Sequence, residues 1–280
     1  MNTDIEQSIH EASEAISNAD AILIGAGAGM GVDSGLPDFR GKEGFWRAYP
    51  VFKKLGYSFE EMANPAWFEH DPQLAWGFYG HRLNLYRATE PHMGYTMLKN
   101  WGEQKSGGVF VFTSNVDGQF QKAGFPDSNV YECHGSIHHL QCSGPCCNAI
   151  WSSMDANLDV DETTLMASSA LPRCPTCWKL ARPNILMFGD WHWNSDRASE
   201  QQNQYSAWLE KLSRKSLVVI EFGAGKSVPT VRHHCESTVR ALQGTLIRIN
   251  PRESEGPPGT ISLPMGALET LEQIQNNLSL

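Results

Sequence analysis

The residues best able to hold or move a proton in this chain are Asn115, Asp117 and His134. They fall just after two short apolar runs, 109–113 and 129–133. A histidine that is neutral near pH 7 can take a proton from a hydroxyl, and a buried asparagine can hold a carboxamide or a water. An Asn and an Asp after a strand are by themselves common turn formers. A histidine at the end of the next strand changes that reading, because open α/β sheets bind ligands at the carboxyl ends of successive strands. The second chemical group is sulfur. Cys142 is followed by Cys146 and Cys147, and about thirty residues later comes Cys174-Pro175-Thr176-Cys177. Two such knuckles make a tetrahedral structural zinc site. The second knuckle is regular, while the first leaves the fourth ligand open between Cys146 and Cys147. With all four positions filled by protein, a catalytic zinc is disfavoured.

The element that must position these groups lies near the N-terminus. Residues 21–41 read AILIGAGAGMGVDSGLPDFRG, a strand-length apolar run that enters glycines 25, 27, 29, 31 and 35. Such a composition suits a backbone that something approaches closely. A glycine turn between a strand and a helix exposes peptide N–H groups to an anion, so a phosphate cradle is expected here. The dinucleotide fingerprint fails on spacing, since it requires Gly or Ala where Met30 or Val32 stands. A generic dehydrogenase is therefore a poor fit. Leu36-Pro37-Asp38-Phe39-Arg40-Gly41 then sets an acid, an aromatic and a guanidinium beside the cradle, more than a plain turn needs.

Composition bounds the reading. The 280 residues suffice for one large domain or a large and a small one. A net charge of -9 leaves no basic excess for general nucleic-acid binding, though it can attract basic peptides. No apolar run approaches the ~20 residues of a membrane span. Seven cysteines in close clusters read as metal ligands or free thiols in a reducing compartment. A soluble cytoplasmic protein is the expectation.

Taken in order, 4–18 place Ile5, Ile9, Ala12 and Ile16 at helical spacing. Residues 42–105, rich in Phe, Tyr and Trp, predict a helical insertion that forms a second core or one wall of a pocket. The runs 109–113 and 129–133 are apolar enough for a buried parallel sheet. After the cysteines, 182–190 return to strand character. A helix is predicted over 196–213, strands over 217–220 and 245–249, and a last helix over 268–278. The strand at 217–220 leads to Gly223-Ala224-Gly225, and that at 245–249 to Asn250 and Glu253.

In this order the motifs resemble the sirtuin family of NAD-dependent protein deacylases, in a divergent, bacterial-type form. The resemblance rests on Gly27-Ala28-Gly29 with 35–41, on 113–124, His134-Gly135, the cysteine knuckles, 185–190, Gly223-Ala224-Gly225 and Ile249-Asn250. It implies an α/β fold, a Rossmann-like doubly wound parallel sheet with a small domain made of a helical insertion and a zinc-ribbon module. The expected partition is 1–41, 106–139 and 184–280 for the NAD-binding domain, 42–105 for the insertion and 140–183 for the zinc module. It further implies NAD contacts from Gly27, Ala28, Gly29, Asp38, Phe39, Arg40, Ser114, Asn115, Asp117, Gly223, Ala224, Gly225, Asn250 and Glu253. His134 would be the general base, with Asn115 beside it in catalysis. Ile185, Leu186, Met187 and Phe188 would pair with an acyl-lysine peptide as an added strand. In that family's chemistry the acyl oxygen attacks the ribose carbon as nicotinamide leaves, and O-acyl-ADP-ribose is the product.

The chain departs from the family pattern at three places. Gly31 stands where a serine is usual, Ser114 where a glutamine is usual, and Gly223-Ala224-Gly225 where Gly-Thr-Ser is usual, so two hydroxyl contacts are lost. Two other outcomes share these residues: NAD hydrolysis or ADP-ribosyl transfer on the same fold, and a non-catalytic zinc-ribbon interaction protein. Retention of 185–188 favours peptide binding over the first, and three intact strand-end polar residues argue against the second.

Overall fold

The computed structural model describes residues 3–38, 41–144 and 146–278, without the side chains of 41–43. Phe39 and Arg40, expected at the cofactor, lie outside the described residues. The chain begins with α1 (Thr3–Asn18), whose Ile9, Ala12 and Ile16 are buried at helical spacing. Strand β1 (Ala21–Ala26) is buried along its whole length and runs into a 3₁₀ turn over Ala28–Ser34. Six helices follow: α2 (Gly41–Ala48), α3 (Pro50–Leu55), α4 (Phe59–Met62), α5 (Trp67–His70), α6 (Pro72–Ala88) and α7 (Met93–Glu103). Their starts follow from local chemistry. Ser58 and Glu61 form a reciprocal capping box for α4, and the Asp71 carboxylate accepts from Leu74 N ahead of Pro72 in α6.

Next come β2 (Val109–Thr113), the short α8 (Gln119–Lys122), β3 (Val130–Glu132) and β4 (Gly135–Cys142). Strands β5 (Ile150–Ser152), β6 (Val160–Asp161), β7 (Met166–Ala167) and β8 (Ala181–Ile185) form the cysteine-bearing region. The chain finishes with α9 (Asp196–Glu210), β9 (Leu217–Phe222), α10 (Thr230–Leu242), β10 (Thr245–Ile249), β11 (Ile261–Leu263) and α11 (Ala267–Asn277).

Six strands make one parallel sheet in the order β11-β10-β9-β1-β2-β3. The order runs outward in both directions from β1 and β9, which is the doubly wound arrangement with a switch point between those two strands. The strands are mostly apolar on both faces because both are covered; Glu132, Glu221 and Arg248 are the buried charges among them. Ile22, Ile24, Val111, Ile220 and Ile247 face the core built with α1, α7 and α11, while Leu23, Phe110, Val219 and Leu246 face α9 and α10.

A separate core joins the aromatic helices to the cysteine-bearing strands. Phe45, Phe52, Trp76 and Phe78 from α2, α3 and α6 pack in one cluster with Leu140, Leu158, Leu165 and Ala181. The indole of Trp76 donates to Ala181 O at 3.0 Å, so this contact is specific as well as apolar. Helix α7, though within 42–105, contributes Tyr95, Leu98 and Trp101 to the core of the large sheet. The expected boundaries at 139/140 and 183/184 fall inside β4 and β8, which pair antiparallel. These two strands carry the chain from one core to the other.

The glycines at the switch point are explained by protein contacts. A Cβ on Gly27 would lie 2.8 Å from Ala224 Cα, and one on Gly223, whose φ is 53°, would lie 2.2 Å from Gly29 Cα. Replacement of Gly223 by alanine is expected to destabilise the fold by about 1–3 kcal/mol through overlap and positive-φ strain. Thermal melting measures it, and an unchanged midpoint would show that the two loops part easily.

Candidate functional site

A cavity of about 880 Å³ opens at the switch point and spans both cores. One wall is the pair of glycine loops. Gly27 N donates to Phe222 O at 2.9 Å and Gly29 N to Gly223 O at 3.3 Å, so the loop after β1 is bonded to the loop after β9. Gly27, Ala28, Asp38, Gly223, Ala224, Gly225 and Glu253 line the cavity. Gly29 and Asn250, expected at the cofactor, do not. Gly29 is covered by Gly223, and fully buried Asn250 is used up by the backbone: its amide donates to Ala224 O at 3.0 Å and its Oδ1 accepts from Arg252 N and Glu253 N. Asn250 therefore shapes the wall from behind.

The inner end is built by the turn after β2. Ser114 N donates to Ala26 O at 3.2 Å and the Thr113 hydroxyl to the same carbonyl at 2.9 Å, which ties the ends of β1 and β2 together. Asn115 then reaches across and donates to Gly27 O at 3.0 Å. Asp117 is buried and accepts from Gln119 N at 3.0 Å. Burial, aided by the charge of Glu132, pushes its carboxyl up to about 6. Gly118 at φ 70° closes the turn against the ring of His138, which bonds Asp117 O at 2.8 Å.

His134 arrives from the end of β3 and lines the same cavity. Gly135, at φ 79°, would place a Cβ 2.1 Å from Asn184 O, so only glycine lets β4 turn away here onto β8. Burial lowers the pKa of the His134 imidazole, and a hydrogen bond to the Ser114 backbone offsets part of the shift. The ring is neutral at pH 7. Its neighbour Cys133 is a core thiol against the sheet, pushed up to about 12 by burial and protonated at neutral pH.

On the opposite wall Ile185, Leu186, Met187 and Phe188 line the cavity with alternating burial: Ile185 and Met187 in, Leu186 and Phe188 out. Leu186 N donates to His134 O and Phe188 N to Ala63 O, each at 2.9 Å. The edge left to an added strand is thus the one that Met187 presents, whose N–H meets the Asp190 carboxylate only at 3.4 Å. Sequence reasoning missed Arg82. This buried guanidinium lines the cavity, bonds the Tyr86 hydroxyl at 2.9 Å and lies 5.3 Å from the Phe78 ring centroid. Its only signal in the sequence was a cation inside an aromatic run.

Four sulfurs gather below the second core. Cys142, Cys146, Cys174 and Cys177 have Sγ atoms all within 4.8 Å of one another. The Cys142–Cys177 and Cys146–Cys174 separations are each 3.6 Å, close to the ~3.8 Å edge of a tetrahedron with 2.3 Å Zn–S bonds. Cys147 stays outside this group, 3.6 Å from Cys146 Sγ and 3.8 Å from the Thr176 hydroxyl. The donor set fits structural zinc, with no position left for a reacting ligand.

The chain is thus a doubly wound sheet whose switch-point crevice runs past a neutral histidine, joined to a smaller lobe that carries four thiols placed to hold a metal. The chain belongs to the Sir2 family, whose model matches residues 27–211. An NAD-dependent protein deacylase of Pyrococcus furiosus is 34% identical over 183 residues, 64% of this chain and 65% of that relative, just under two thirds of its length. A protein of the same name from Thermococcus sibiricus is 28% identical over 249 residues, 88% of this chain and 86% of that one. Among solved structures, a Sir2 homologue in complex with NAD has a TM-score of 0.69 and 26% identity, covering 95% of this chain and 93% of that chain.

Two expectations follow. Cys146→Ser should lose zinc and Cys147→Ser keep about one equivalent by metal analysis; zinc retained in the first and lost in the second would reverse the ligand assignment. Asp117 binds its proton more tightly folded than unfolded, so its contribution to stability is full below the ordinary 3.8 and is lost as pH rises through about 6. Asp117→Asn, neutral throughout and still able to accept from Gln119 N, should therefore melt higher than the parent at pH 8, by up to about 3 kcal/mol in stability. The gap should close toward pH 4. No gap at pH 8 would mean that the carboxylate is not strained.

Proposed function

We propose that this chain is an NAD-dependent protein-lysine deacylase that releases nicotinamide and O-acyl-ADP-ribose. The observation that carries the reading is one cavity reaching from the glycine loops of the large sheet, past Asn115, Asp117 and His134, to the exposed side chains of Leu186 and Phe188. Its size suits a dinucleotide and an acylated side chain together.

When bound, NAD supplies an electrophilic ribose carbon and nicotinamide as leaving group. Ala28, Ala224 and Gly225 would hold the phosphates by backbone N–H, which answers the loss of side-chain hydroxyls at this wall, while Gly27 N and Gly223 N, spent on Phe222 O and Ile249 O, keep the two loops close enough to do so. Glu253 would accept from the adenosine ribose. Asp117 and Ser114 would hold the carboxamide, and Asn115 fixes the loop against which it lies. His134 keeps one ring nitrogen on the Ser114 carbonyl, and its neutral form leaves a lone pair on the other to take a ribose hydroxyl proton. The lining of Tyr79, Tyr86, Val116 and Ile185 would exclude water from the reacting carbon once substrates fill the cavity, which would favour acyl transfer over hydrolysis. Zinc would hold the small lobe through its four thiolates. Reduced thiols at that site suit a cytoplasmic setting, and the acidic balance suits a basic peptide partner.

His134→Ala should reduce turnover of an acetyl-lysine peptide by about 10²–10⁴-fold while leaving NAD affinity and melting temperature near those of the parent. Turnover near the parent rate in a folded, NAD-binding variant would remove His134 from the chemistry. Nicotinamide release by the parent without any acyl-peptide turnover would instead indicate an NAD hydrolase.

A further inference from the structure

Beyond the catalytic groups, the segment after β8 combines two features that conflict as stability devices. Arg182 and Asp190 form an ion pair at 2.5 Å with side chains 2% and 0% exposed. The Asp190 carboxylate also accepts from His192 N at 3.1 Å and, more weakly, from Met187 N at 3.4 Å, and Gly189 turns at φ 68°. The carboxylate thus closes a tight loop from below. What that loop puts into water is apolar. Trp191 is 93% exposed, beside Leu186 at 39% and Phe188 at 41%, with Val228 at 50% across the opening; all four line the cavity.

A buried ion pair is a poor source of stability, and its use is to select one conformation. Here the selected conformation holds an indole in solvent. Isolated exposed apolar residues need no explanation, but a patch of four at the mouth of a cavity marks a contact surface. The surface is continuous with the wall assigned above to the acyl-lysine, so its occupant is the stretch of substrate chain next to that lysine.

We propose that Trp191 is a specificity-determining residue that packs against an apolar side chain flanking the acyl-lysine, and that Arg182 and Asp190 are positioning residues that hold it out. This rests on the deacylase reading. Partial burial of an indole against one Leu or Phe side chain should favour such a substrate by about tenfold in kcat/KM.

The test uses the full chain and two acetyl-lysine peptides that differ only at the flanking positions, Leu or Phe against Ser. The parent should prefer the apolar peptide about tenfold. Trp191→Ala should bring the two within about twofold by raising KM for the apolar peptide alone, with NAD KM and melting temperature unchanged. Asp190→Asn should shift the preference in the same direction, and Asp190→Glu, which restores the charge, should recover part of it. A preference that survives Trp191→Ala overturns the proposal. So does a rise in NAD KM equal to that for peptide, which would make Trp191 a nucleotide contact, or a parent that sediments as a dimer while Trp191→Ala sediments as a monomer, which would make the patch a contact with a second copy. Turnover of both peptides at equal rates by the parent sinks this proposal alone; turnover of neither sinks the deacylase reading with it.

Discussion

The site depends on two backbone loops crossing at the switch point with no side chain between them. The loop after β1 and the loop after β9 approach until Gly223 lies over Gly29 and Gly27 over Ala224. Two asparagines lock that crossing, Asn115 through Gly27 O and Asn250 through Ala224 O. Parallel strands end in register, so their final carbonyls and amides are left to the loops. Here the loops satisfy one another, which fixes the floor of the cavity before any ligand arrives. An asparagine suits the role because its short amide can reach one backbone carbonyl while its oxygen accepts elsewhere. Asn250 does both.

From that floor the site is a seam. The large sheet has its core on either side, the aromatic helices and cysteine-bearing strands have theirs, and β4 and β8 pass between them as an antiparallel pair. His134 sits where β3 ends and β4 begins, and Leu186 N on β8's far end bonds the His134 carbonyl. The proposed base and the proposed peptide edge are therefore one hydrogen bond apart along the backbone.

Much of this was legible in the sequence. Strands buried on both faces show as unbroken apolar runs, and β2 and β10 stand where those runs stand. The order of motifs carried the family. What was not legible is which atoms occupy the space beside a glycine. The glycine run reads as a ligand cradle, yet Gly25 faces the Cys235 sulfur, Gly31 faces Leu36 and Gly27 faces another loop. Composition records the need for a missing Cβ without saying whose neighbour needs it. The same limit applies to Asn250, which is expected at the cofactor but is spent on backbone. Cys146 and Cys147 are adjacent, so spacing cannot separate them; only the chain's path toward Cys174 does. Arg82 went unseen because periodicity treats a cation among aromatics as a solvated face, whereas four rings and a hydroxyl enclose it.

Each wall of the cavity has a buried ion pair behind it. Behind the nucleotide loops Arg248 bonds Glu221 at 2.7 and 2.9 Å and Glu236 at 2.8 Å, and reaches Glu255 O. Behind His134, Glu132 holds Arg197 at 2.6 Å, and behind the peptide edge Arg182 holds Asp190. Desolvation makes such pairs weak contributors to net stability, and an apolar substitute would pack as well. Their geometry is what an apolar contact lacks: the Arg248 guanidinium donates to both oxygens of Glu221, an arrangement open to few orientations, while Arg182 and Arg197 each hold their carboxylate by one nitrogen. Three pairs placed behind three walls thus restrict the relative positions of loops that carry backbone donors, a neutral imidazole and exposed apolar side chains. The proposed site, which would bring a base, a leaving-group pocket and a peptide edge to one carbon, needs that restriction more than it needs added stability. Asp117 shows the same balance: burial pushes its carboxyl up to about 6, a cost that keeps a hydrogen-bond acceptor at the inner end of the cavity.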